Sequence, residues 1–208
     1  MSMRVIIARS EQEKRLSCRL RFDTMCRDLG WISTQNYATP EERDEYDDGQ
    51  STAFLALDDS GDAIGTVRLI LPGEIPLPID RHFELYPREM IEALHGEMKY
   101  CVEVSRFIVP KNHAFKNHEI TNMLYEAILK ECMTIGVSHL LASVDYRFFR
   151  LQRILGFRFD EIGEPKFYMG SKTVPALVSR KTMACILASK KPVPIEDRAA
   201  DKKPLAPA

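Results

Sequence analysis

The order of periodic segments predicts a three-layer domain of the α/β or α+β class, with helices interspersed among hairpin strands. Three observations carry this. Ser10, with Glu13 three residues on, has the capping-box spacing and opens an amphipathic stretch that runs to Gly30. Two runs of strand-forming residues, Thr52–Leu57 and Ala63–Leu71, flank the turn Asp58–Asp62 with its Gly61 and read as a hairpin. Between Glu119 and Ile162 helical and strand periods alternate.

In chain order, Arg4–Ala8 is a short first strand and Glu11–Leu29 the first helix, stopped by Gly30 ahead of Trp31. Ser33–Gln50, with Pro40 and the run Glu41-Glu42-Arg43-Asp44-Glu45-Tyr46-Asp47-Asp48, reads as an ordered loop or helical turn. After the hairpin, Pro72–Pro78 is a connection enforced by Pro and Gly, and Pro87–Leu94 a short helix. Tyr100–Val109 is the central strand. Glu119–Ile135 follows as a helix with Ile120, Met123, Leu124, Ile128 and Ile135 close to one face, ended by Gly136. His139–Val144 is a strand, Tyr146–Leu155 a second amphipathic helix, and Phe157–Ile162 and Lys166–Met169 late strands. Ala176–Ser189 fits either helix or strand. Residues 1–189 then form one domain, and residues 190–208, Pro-rich and charged, a disordered tail.

Composition narrows the function. A net charge of -1, with 45% hydrophobic and 28% charged residues, is that of an ordinary soluble protein and points to no general nucleic-acid binder. Five scattered cysteines without a CxxC pair suit a reducing cytoplasm. The apolar run at the N-terminus is too short for a signal peptide or a transmembrane segment, so cytoplasmic residence is expected. The five histidines show no metal-ligand spacing, so no metal is expected.

The central strand, YCVEVSRFIV, is where chemistry is expected. Strict alternation puts Tyr100, Val102, Val104 and Ile108 on one face, interrupted by Arg106, and Cys101, Glu103, Ser105, Phe107 and Val109 on the other. A carboxylate and a hydroxyl two residues apart on a buried face are costly unless paired.

These residues, with others, resemble a family. The chain over roughly residues 4–170 looks like the autoinducer-synthase branch of the acetyltransferase-like fold, which includes acyl-homoserine-lactone synthases and N-acyl amino acid synthases. Arg21 stands ten residues before Trp31 in RLRFDTMCRDLGW; ERDEYD supplies Glu42, Asp44 and Asp47; GTVRLI supplies Arg68; EVSRF supplies Glu103, Ser105, Arg106 and Phe107. One departure is Met25, where the family has an aromatic four residues after the first arginine. LPGEIPLPID, IGEPKFYMGSKTVP and LYEAILKECMTIGVSHLLASVD look more like the N-acyl amino acid synthases.

The resemblance implies an α/β three-layer (α-β-α) GNAT-like N-acyltransferase fold around a central mixed sheet. It implies a bacterial enzyme moving a fatty acyl group from acyl carrier protein to the amine of an amino acid. The alternatives are an acyl-homoserine-lactone (quorum-sensing signal) synthase using S-adenosylmethionine, or a non-catalytic sensor of an acyl ligand. Glu103 is the expected base, directly or through a water, with ion pairing to Arg106 or Arg68 as the structural alternative. Ser105, with no His nearby in sequence, is expected to hydrogen-bond substrate or backbone rather than act as nucleophile. Cys101, on the same expected face, is read as a small buried residue before a thioester-exchange nucleophile. Arg21, Trp31, Arg68, Arg106 and Phe107, with Glu42, Asp44 and Asp47, are expected on the amino-substrate side, the charges forming a cluster at one end of the sheet.

For the donor, PKNHAFKNHEITNML after the central strand lacks the glycines of a pyrophosphate-binding loop. This argues for the phosphopantetheine of acyl carrier protein as co-substrate, with no tightly bound cofactor. Lys111, Lys116, Arg147, Arg150 and Arg153 would form a basic docking patch. Phe148 and Phe149, with Leu151, Ile154 and Phe157, would line an acyl-chain cavity or simply pack the core.

Overall fold

Ser10 does what its spacing predicts. In the computed structural model, which describes residues 2–110, 117–154 and 159–189, its hydroxyl accepts the Glu13 amide and the Glu13 carboxylate accepts the Ser10 amide. The helix so capped, α1, covers Glu11–Arg21 and then widens into a π-helix over Phe22–Asp28 instead of continuing as α to Leu29. The Leu29 amide donates to the Thr24 carbonyl at 3.0 Å, the five-residue step of a π turn.

The strands are β1 (Arg4–Ile7), β2 (Ser51–Leu57), β3 (Ala63–Ile70), β4 (Cys101–Ile108), β5 (His139–Asp145), β6 (Asp160–Glu161), β7 (Lys166–Tyr168) and β8 (Ser171–Ser179). They form one sheet in the order β1-β2-β3-β4-β5-β8-β6, with β7 also on β8. Only β4 and β5 run parallel, so the sheet is mixed as expected. Helices are α2 (Pro78–His82), α3 (Arg88–His95), α4 (Asn117–Thr134), α5 (Tyr146–Ile154) and α6 (Arg180–Ser189).

Two local outcomes depart from the sequence reading. The connection after β3 ends in α2, which Pro78 starts at a position where its fixed φ favours a helix. The ambiguous stretch Ala176–Ser189 is both strand and helix, because the Ser179 hydroxyl accepts the Thr182 amide and turns the chain from β8 into α6. The expected tail 190–208 and residues 155–158 of the late strand and second helix lie outside the described residues.

Helices cover both faces. Against α4 and α6 the sheet presents Val67, Leu69, Val102 and Leu140, which meet Ile120, Leu124, Ile128 and Met183. Ile135, expected on the inner face of α4, is 36% exposed at its end. The opposite face buries Ile70, Leu141 and Leu177 against Ile79 of α2 and Ile91 of α3. Alongside, Ala8, Leu55 and Leu57 pack with Leu16 of α1. The result is the α-β-α sandwich expected. Among the described residues no helix is long and apolar enough to cross a membrane.

The sheet is irregular where it matters most. Thr66 pairs with Ile108 and Arg68 with Ser105, so two residues of β4, Arg106 and Phe107, stand opposite Val67 alone. This bulge holds Arg106 at φ 52°, a left-handed conformation uncommon outside glycine. It also reverses the alternation: Phe107 and Val109 join Val102 and Val104 on the α4 face instead of sharing a face with Glu103. Further, β4 and β5 pair only from Cys101↔His139 to Val104↔Ala142. Beyond those pairs both strands continue without bonding each other, and the sheet opens.

Candidate active site

The opening between β4 and β5 is a cavity of about 420 Å³ that reaches from the π-helix on one face of the sheet to α4 and α6 on the other. Of the residues expected at the site, Trp31, Glu103, Ser105, Arg106, Phe107 and Phe148 line it.

Glu103 sits where β4 and β5 still pair, its side chain on the α2 face. It is 1% exposed, and one oxygen accepts the Ile79 amide at 2.8 Å while the other accepts the Ser143 hydroxyl at 3.2 Å. It makes no ion pair with Arg106 or Arg68. Burial therefore dominates and raises its pKa to about 7, against the smaller opposing pull of these two hydrogen bonds. A carboxyl titrating near neutrality at a cavity wall is able to exchange protons with a bound molecule.

Ser105, two residues on, accepts a hydrogen bond from Arg68 Nε at 3.1 Å, which leaves its own proton free to be donated. Cys101 does not line the cavity. It packs in the α2–α3 core, and burial pushes its thiol up, so it is a packing residue.

The six charged residues do come together, and they satisfy one another. Arg21, the last residue of α1, binds Glu42 through Nε and Asp47 through both terminal nitrogens at 2.8 Å. Arg68 of β3 forks onto Asp44 at 2.5 and 2.8 Å and reaches Asp47 at 3.1 Å. Arg106 contacts Glu42 at 2.8 Å and Asp44 at 3.1 Å. Arg21 and Glu42 are wholly buried. Burial would raise the Glu42 pKa, but Arg106 and Arg21 outweigh it and hold it at about 2. Asp47 is held well below the usual range by Arg21 and Arg68 in the same way. The network ties the acidic loop to α1, β3 and β4, and of its members only Arg106 reaches the cavity wall. Its remaining terminal nitrogen, Nη1, lies 3.4 Å from Met169 Sδ.

Trp31 is 40% exposed and lies across the turn between β7 and β8. A Cβ on Gly170 would come within 2.4 Å of the indole, and Gly170 itself has φ 84°, so glycine is required twice over. Met25, the departure from the family's aromatic, is buried and lines the cavity beside Thr24 and Leu29.

Phe149 is not brought to the site: it is 2% exposed in the core beneath α5 with Val174 and Ala176. Arg150 is exposed on α5, its guanidinium 6.0 Å from the Tyr146 ring. Lys111 and Lys116 lie outside the described residues. The sequence reading also missed Ser143, the Ile79 amide, Thr24, Tyr125 and Met169. Ser143 was detectable as the one hydroxyl within the apolar run LLASV. The others depend on packing, which periodicity does not report.

Comparison with known proteins agrees with this architecture. Residues 7–182 match the family model described as autoinducer synthase. The acyl-homoserine-lactone synthase of Agrobacterium fabrum (strain C58 / ATCC 33970) is 32% identical over 129 residues. That alignment covers 60% of this chain, and the chain spans 60% of the relative's length. Among solved structures, BjaI, a CoA-dependent acyl-homoserine lactone synthase with SAM and isopentyl-CoA, superposes with a TM-score of 0.66 at 20% identity, covering 90% of this chain and 88% of its own. FeeM, an N-acyl amino acid synthase from uncultured soil microbes, gives 0.65 at 19% identity, covering 90% and 96%. The fold is the GNAT-like one these structures share.

Proposed function

The chain belongs to the autoinducer synthase family, and on that premise we propose that it is an N-acyltransferase moving a fatty acyl group from a thioester to the amine of a small amino-acid-like acceptor. The observation that carries this is Glu103, a carboxyl with a pKa near 7 in the wall of a cavity that passes through the sheet.

In this reading the thioester arm lies along the opening between β4 and β5, where main-chain groups no longer bonded across the sheet offer partners to its amides. The acyl chain occupies the half of the cavity under α4 and α6. The amine approaches from the side of Trp31, Met25 and Arg106. Glu103 takes its proton, the nitrogen attacks the thioester carbon, and the thiol leaves with a proton as the amide forms. Ile79 and Ser143 hold the carboxylate in place. Ser105 supplies a donor near the reacting carbonyl, and no acyl-enzyme is formed. The charged cluster acts behind the site, positioning Arg106 and its bulge.

For the acceptor, the relative at 32% identity outweighs the stretches that look like the N-acyl amino acid synthases, so S-adenosylmethionine comes first and a free amino acid second. For the donor, the glycine-free sequence 110–124 favours acyl carrier protein, with exposed Arg150 on α5 as part of its docking face, over coenzyme A.

The test is product analysis by mass spectrometry with the purified chain. Acyl carrier protein and coenzyme A thioesters are each offered with S-adenosylmethionine and with amino acids. Acyl-homoserine lactone is expected, the carboxylate of the N-acylated acceptor closing on the carbon that bears the sulfonium and expelling methylthioadenosine, at a rate reduced about 100-fold or more in Glu103→Gln. N-acyl amino acids would reassign the acceptor. No amide product from a folded protein would leave the acyl-ligand sensor as its function.

A further inference from the structure

Expected acylation, bases and arginines aside, one more group stands beside Glu103. The turn between β7 and β8 closes the Trp31 side of the cavity with three consecutive residues. Gly170 lies under Trp31, Met169 places Sδ 3.4 Å from Arg106 Nη1, and Tyr168 lines the cavity with Glu103 and Arg106. The Tyr168 ring is held by the end of α2: its centroid is 5.1 Å from that of His82 and 5.3 Å from that of Phe83, the latter edge-on. The same helix supplies the Ile79 amide to Glu103, so carboxyl and phenol are positioned from within one helical turn. The Tyr168 hydroxyl has no hydrogen-bond partner among the described residues, and it is not sealed off, since the one buried side-chain oxygen without a partner among them is Thr24 Oγ1. Burial raises its pKa, with Arg106 opposing and Glu103, Tyr46 and Asp44 adding. Those neighbours place the hydroxyl at the Glu103 end of the cavity, and the direction of the shift keeps it a donor at neutral pH.

An α-amino acid that offers its amine to Glu103 brings a carboxylate attached to the same carbon, and that charge needs donors. Arg106 has Nε and Nη2 committed to Glu42 and Asp44, which leaves its Nη1 and the Tyr168 hydroxyl on that side. We propose that Tyr168 donates a hydrogen bond to the α-carboxylate of the acceptor, so that the site prefers α-amino acids and their derivatives over amines of the same shape without the carboxylate. This rests on the thioester-to-amine reading above. A site with a donor placed for a substrate group discriminates against the analogue lacking it, because the donor is then left unpaired.

The test compares the intact chain with Tyr168→Phe on acceptors with and without the carboxylate: S-adenosylmethionine against its decarboxylated form, and a free amino acid against its primary amide. Amide formation is followed at a fixed thioester concentration. The variant is expected to raise KM for the carboxylate-bearing acceptor about tenfold and to leave the carboxylate-free one unchanged. An acceptor that the wild type does not turn over is compared as a competitive inhibitor. The thermal midpoint should not fall, since phenylalanine keeps both ring contacts and no hydrogen bond within the protein is removed. An unchanged preference overturns the proposal, as does an equal loss for both kinds of acceptor, which would make Tyr168 a packing residue or a proton donor to the thiol. If the wild type forms no amide at all, the acyl-transfer reading has failed, and titration calorimetry with the same acceptors decides this proposal separately. Binding weakened in Tyr168→Phe for the carboxylate-bearing molecules alone supports it; equal binding, or none, overturns it.

Discussion

Glu103 is buried beside an amide and a hydroxyl, without an ion-pair partner, and that sets the pH behaviour of the molecule at neutrality. Its carboxyl titrates near 7 in the native protein against 4.5 as a free side chain. Between those two values the unfolded chain has released a proton that the native state still holds. Stability is therefore greatest below about pH 4.5 as far as this residue is concerned, and declines as pH rises to about 7, by about 3 kcal/mol in all. Urea unfolding between these pH values should show wild type losing stability relative to Glu103→Gln, and parallel curves would mean the carboxyl ionises freely. The catalytic consequence runs the other way. In the proposed mechanism Glu103 acts as base only when ionised, so kcat/KM should rise with pH through an apparent pKa near 7.

At the scale of elements, the loop between α1 and β2 is fastened by charge as well as by Tyr46, which is buried in the core with Ile70 and Ile79. Glu42 is the centre of that fastening, wholly buried and shared by Arg21 and Arg106. Replacing it with Gln leaves two buried guanidinium groups short of a counter-charge. A loss of about 3–5 kcal/mol is expected, read from denaturation midpoints, together with reduced activity as the Arg106 bulge loses its anchor. A change below about 1 kcal/mol would make the network incidental. Its pH dependence has the opposite sign to that of Glu103: the stability it contributes is present above about pH 4.5 and lost as pH falls toward 2. This cluster also shows where sequence reasoning stops. Arg21, Arg68, Arg106 and the three acids were identifiable, and so was their gathering at one place. That they neutralise one another, and that the strain they hold at Arg106 turns Phe107 to the opposite face, depends on contacts between segments far apart in sequence. The capping box of α1 was legible because all its parts lie within four residues. The π-helix that follows it was not, since the same apolar spacing serves an α-helix.

For the whole molecule, three layers could be read from the succession of periods, because each element carries its own hydrophobic face, whereas the mixed sheet followed only from the family resemblance. The parting of β4 from β5 could not, since nothing in either strand's composition announces where pairing ends. A ligand that binds only the folded form should raise the thermal midpoint with its concentration, and a long-chain acyl amide should do so more than a short one. Equal shifts would mean that the chain does not enter the cavity. The feature has a cost in evolvability. The side chains that bound the space under α4 and α6, Leu129, Val178 and Ile186 among them, are also the interior of the domain. Trimming one to admit a longer tail deepens a void in the resting protein, and enlarging one to refuse it fills that void. The size of the cavity and the stability of the fold are thus adjusted by the same residues, and a lineage cannot drift along one axis without moving on the other.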